Sequence, residues 1–90
     1  MIEKTFKVTN QTGLDAKISS LIVNKCGKYN CDIKLRCANE IVNLKSIMGV
    51  MSLNIHKGLV IDIIFDGEDE EAAANDVFYL INDIKLAKEF

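Results

Sequence analysis

CDIKLRCANEIVNL, Cys31 to Leu44, is the stretch on which the fold turns. Cys31, Ile33, Leu35 and Cys37 alternate with Asp32, Lys34 and Arg36, the period of a strand with one dry face and one wet face. Ala38 and Asn39 separate this run from a second, residues 40–44, so the two read as an antiparallel hairpin. Strands that alternate, rather than running solidly apolar, predict a sheet covered on one side only.

Working outward, the pattern changes period on both sides. Upstream, Ile2, Phe6 and Val8 share a face of a strand over 2–8, and turn residues Asn10 to Gly13 follow. Ile18, Leu21, Ile22 and Cys26 then recur at three-and-four spacing up to Gly27, an amphipathic helix of about three turns. Downstream, Ser46 to Leu53 reads as a short helix entered through a serine cap, and 59–66 as another strand. Asp69, Glu70 and Glu71 open a last helix striped by Ala73, Val77, Leu80, Ile81 and Ile84, with Lys85 and Lys88 placed at its end to suit the dipole. The order βαββαβα predicts an α+β fold: one domain over 1–90, an open-faced sandwich whose four-stranded antiparallel sheet is covered on one face by three helices.

The composition narrows the function classes. A net charge of −2 with a pI near 5.3 provides no basic surface for a phosphate backbone, so direct nucleic-acid binding is not expected. Met1 to Phe6 shows no export signal, and the apolar run Leu59 to Phe65 is broken by Asp62 and too short for a bilayer, so a cytoplasmic protein without membrane contact is expected. Cys26, Cys31 and Cys37 form no CxxC pair, which argues for a reducing compartment, against a metal site, and for buried thiols.

Little here predicts catalysis. The single histidine, His56, sits in a turn-like segment between Asn54 and Gly58 and reads as a solvated loop residue. Glu68 to Glu71 fit the helix dipole better than a metal or acid pair. No nucleotide-binding, hydrolase or metalloprotease motif occurs, so neither an enzyme nor a cofactor is expected. Two helix N-termini, at Asp15 and Ser46, remain as places where an anion is favoured. The helix after Ser46 carries Ile47, Met48, Val50, Met51 and Leu53, too many apolar side chains for one inward face, so some must look outward as adaptable recognition surface.

VNLKSIMGVMSL, Val42 to Leu53, resembles the regulatory segment of HPr, the phosphocarrier family of the bacterial sugar phosphotransferase system. KTFKVTNQTGL at Lys4 to Leu14, the Gly58 turn and GEDEEAA at Gly67 to Ala73 extend the resemblance along nearly the whole chain. The family's sandwich agrees with the fold read from periodicity. In such proteins GLHARPA carries a histidine that takes phosphate from enzyme I and hands it to sugar-permease subunits. Here the segment is GLDAKIS, with Asp15 at the carrier histidine, Lys17 at the arginine and Ile18 at the proline. The resemblance therefore implies a degenerate phosphocarrier site at Asp15 and Lys17, without the transport relay, where Asp15 serves as a helix cap or as a weak mimic of phosphohistidine charge.

The serine segment matches, so the chain resembles the Crh-like members that have lost the carrier histidine. That resemblance implies phosphorylation of Ser46 by the ATP-dependent HPr kinase/phosphorylase. It also implies binding to a LacI-type catabolite control repressor as corepressor, with Lys45 helping to hold the anion and Ile47, Met48 and Met51 contacting the partner. The alternatives are a repurposed HPr-like domain that binds a metabolic enzyme, and an atypical phosphocarrier. A homodimer formed by strand exchange is left open.

Overall fold

The computed structural model describes residues 1–90. Its elements are β1 (Ile2–Val8), α1 (Ala16–Cys26), β2 (Asp32–Cys37), β3 (Glu40–Asn43), α2 (Ile47–Ser52), β4 (Val60–Asp66), α3 (Glu70–Asp83) and β5 (Ala87–Glu89). The sheet runs β3-β2-β4-β1-β5, and every neighbouring pair is antiparallel. Cys37 and Glu40 face each other across the hairpin, and Ala38 turns the chain with φ 56°.

Alternation places the core. Ile33, Leu35, Ile61, Ile63, Phe65, Phe6 and Val8 point to the helices and are buried, together with Ile22, Val50, Val77 and Ile81 from the three helices. Phe78 of α3 lies 5.4 Å from the rings of both Phe6 and Phe65, edge-on to the latter, which locks α3 across β1 and β4. On the open face Arg36 joins three strands: it donates to Glu3 at 2.6 Å and to Asp62 at 3.0 Å, and the Thr5 hydroxyl also donates to Asp62. Cys26 and Cys31 are buried thiols, as read, and burial pushes Cys26 up to about 12 and Cys31 up to about 11, whereas Cys37, at the hairpin end, is only partly buried against that reading.

Three details differ from the sequence reading. The sheet has five strands rather than four, because α3 stops at Asp83, Lys85 turns the chain with φ 55°, and Ala87–Glu89 pairs with β1. Lys88 is therefore a strand residue opposite Lys7, not a helix-terminal cation. Leu21, placed on the inward stripe of α1, is exposed, while Ser19 is fully buried with its hydroxyl donating to Leu14 O at 3.2 Å. Asp69 stands at the N-cap of α3 without capping it; its two carboxylate oxygens instead accept from Asn30 N and Cys31 N, both at 2.8 Å. Gly67 makes that docking possible, since at φ 152° a Cβ there would lie 2.7 Å from the Cys31 Cβ.

Candidate functional site

The β3–α2 junction is built by Asn43. Its side-chain oxygen accepts from Lys45 N at 2.9 Å and its carbonyl from Ser46 N at 3.0 Å, which curls the chain into α2. Ser46 is then the N-cap: its hydroxyl oxygen accepts from Gly49 N at 3.2 Å and its carbonyl from Val50 N at 3.0 Å. The N–H groups of Ile47 and Met48 are left without helical partners, and no acidic side chain occupies the first turn. A dianionic group on this oxygen would meet unopposed donors.

The outward half of α2 is apolar. Val50 turns inward at 1% exposure, whereas Ile47, Met48 and Met51 are 37%, 81% and 40% exposed. Lys45 does not reach over the helix start: its ammonium donates to Tyr29 O at 2.7 Å and ties β3's end to the loop after α1. That loop is also held by Tyr29, whose hydroxyl donates to Asp76 at 2.6 Å.

The second N-terminus lies at α1, which packs against α2. Asp15 is its N-cap, accepting from Ile18 N at 2.9 Å, and this bond, with help from the Thr12 hydroxyl, holds its carboxyl below the usual aspartate range. Lys17 is exposed in the first turn. No hydrogen bond or ion pair joins Asp15 or Lys17 to Ser46, so the two N-termini are separate sites. Reading the sequence missed a contact made just before Asp15. The loop carrying His56 is bonded to the entry of α1, because Leu14 N donates to Ile55 O at 3.0 Å. Nothing in the local pattern around His56 signals this contact, which spans more than forty residues.

The family model for the PTS HPr component phosphorylation site matches residues 2–83. Among solved structures, the histidine-containing phosphocarrier protein of Mycoplasma is similar at a TM-score of 0.93 and 29% identity, over 97% of this chain and 99% of that one. HPr of Thermoanaerobacter tengcongensis gives 0.87 and 38%, over 92% of this chain and 93% of that one. Crh of Bacillus subtilis, a catabolite-repression protein described as a swapped, intertwined dimer, gives 0.71 and 32%, over 92% and 95%.

Proposed function

Since the chain belongs to the HPr family, we propose that it is a Crh-like regulator of carbon catabolite repression whose switch is Ser46. The kinase/phosphorylase adds phosphate to Ser46, and the phosphoprotein docks on a LacI-type repressor as corepressor. It acts by being recognised rather than by catalysis, as one folding unit in the cytoplasm, and the repressor alone touches DNA. No helix is long and apolar enough to cross a membrane. One observation carries this reading: Ser46 caps a helix whose adjoining Ile47, Met48 and Met51 stand in solvent. Phosphate there sits on the positive end of the dipole, beside apolar anchors that desolvate on contact. The aspartate at position 15 supports the same reading, because it has no imidazole nitrogen with which to form phosphohistidine.

Lys45 enters the proposal with a changed role. Its ammonium is held by Tyr29 O, so it steadies the junction, and it would serve the phosphate through the donors that this bond leaves over. Self-association fits the swapped dimer described for Crh.

Incubation with HPr kinase/phosphorylase and ATP tests the switch. Mass spectrometry is expected to find one phosphate on wild type, mapped to Ser46, and none on Ser46→Ala. An unmodified wild type beside a fully modified histidine-bearing HPr overturns the proposal.

A further inference from the structure

We propose that the free edge of β5 is a docking site for an extended segment of a partner protein in which acidic and apolar side chains alternate, added to the sheet as a further strand. This goes beyond the Ser46 switch and does not rest on it.

The backbone comes first. β5 ends the sheet on one side, with β1 along its inner edge and no strand along its outer one. Leu86 O accepts from Thr9 N and Phe90 N donates to Thr5 O, both at 2.9 Å, so residues 86 and 90 turn their polar groups toward β1. Inward and outward groups alternate in an antiparallel ladder, and the groups of Ala87 and Glu89 therefore point away from β1. Val8, opposite Ala87, agrees: it donates to Leu59 O and accepts from Gly58 N, both at 2.9 Å, and keeps nothing for β5. Two unpaired N–H and C=O pairs are the row that strand addition uses.

The two faces of this edge say which strand fits it. On the open face Lys7 and Lys88 stand directly opposite each other, both exposed, and neither is within ion-pair distance of a carboxylate. Like charges so placed repel, and an acidic residue set beside Lys88 on an added strand relieves them. On the helix face Ala87 forms the low wall of a cavity of about 290 Å³ whose other apolar lining is Phe6, Phe78 and Ile81. A residue that exchanges hydrogen bonds with Ala87 carries its side chain on this same face. An apolar group there reaches over the Ala87 methyl into the cavity and covers Phe78, which α3 leaves half-buried. Glu89, next along that face, is already neutralised by Lys4 at 3.0 Å.

A second copy of the chain fits this edge worse. Full antiparallel overlap of β5 with its own copy would set the two Lys88 side chains face to face between the two Lys7 side chains, so the charges favour a different, acidic partner.

The probe is a fluorescein-labelled peptide alternating glutamate with valine; the controls alternate lysine with valine, or carry glutamate and valine in two blocks. Wild type is expected to bind the alternating acidic peptide about ten-fold more tightly than either control, and its Glu89 amide to resist deuterium exchange only when that peptide is bound. Lys88→Glu is expected to prefer the basic peptide. Glu89→Pro removes an outward N–H that the fold does not use, on an edge strand where proline is tolerated. It is expected to melt with Glu89→Ala, yet to bind the acidic peptide about ten-fold more weakly than that variant does. Equal binding of the three peptides to wild type overturns the proposal, as does an unchanged Glu89 exchange rate. Equal affinity of Glu89→Pro and Glu89→Ala overturns it too. A dimer in sedimentation that Glu89→Pro abolishes would give the edge to a second copy and overturn the choice of partner. Should Glu89→Pro melt low, the exchange rate and Lys88→Glu decide alone.

Discussion

At position 15 a carboxylate caps the helix, where the family pattern places a nucleophilic histidine. It accepts from Ile18 N at 2.9 Å, and under the proposed reading the helix N-terminus of a degenerate carrier site is kept around it. Asp15→His with Lys17→Arg is therefore expected to acquire some label from enzyme I and phosphoenolpyruvate, wild type to acquire none, and Asp15→His alone to acquire less than the double variant. Arginine offers a planar fork of donors, where lysine offers a point charge. Recovery should be partial, since Ile18 does not preset the first helical turn as proline does. No label on a folded double variant would mean that the backbone around Asp15 has lost the geometry for transfer. Asp15 was readable as a cap because capping is local. The close approach of Ile55 and His56 to Gly13 was not readable, because it is made by tertiary folding between segments with no shared periodicity.

Among the elements, α2 is the one whose sequence exceeded its structural need. Six residues cannot bury Ile47, Met48, Val50 and Met51 on one side, and only Val50 is buried. Met48→Asp is expected to weaken binding of the Ser46-phosphorylated protein to the repressor by about 2 kcal/mol, roughly thirty-fold. Unchanged affinity in calorimetry, with the fold intact, would put the contact surface elsewhere. Ser46→Ala should also cost the fold about 1 kcal/mol, read from the urea midpoint, since it orphans Gly49 N. The hairpin, α2 and the interior of α3 were all legible, because periodicity over several residues outweighs noise. The end of α3 was not. Ile84, Lys85 and Leu86 carry no glycine or proline, and the turn at Lys85 is drawn by Leu86, whose carbonyl accepts from both Thr9 N at 2.9 Å and Asn10 N at 3.2 Å. β5 is three residues long and exists only because β1 offers an edge, a non-local cause that no window of AKEF could disclose.

Across the whole molecule, several carboxylates act as fasteners between elements, and this sets how the fold should respond to acid. Asp69 holds the Asn30–Cys31 loop to the start of α3; the Asn30 N–H, then the Cys31 contacts, draw its pKa below the ordinary value of 3.8. Asp76, lowered first by the Tyr29 hydroxyl, and Glu70, lowered first by the chain's terminal ammonium, act in the same sense. For a group depressed in the folded state, the unfolded chain binds the proton more readily. The stabilisation is then complete above the ordinary carboxylate value and drains as pH falls through it toward the depressed one. The expected result is a melting temperature that is flat near neutrality and drops below about pH 4. Asp69→Asn should melt lower than wild type at pH 7, having lost the ionic acceptor for two backbone donors, and should fall less between pH 5 and pH 3. Parallel melting curves for the two proteins over that range would show that the Asn30–Cys31 clasp does not depend on the charge of Asp69.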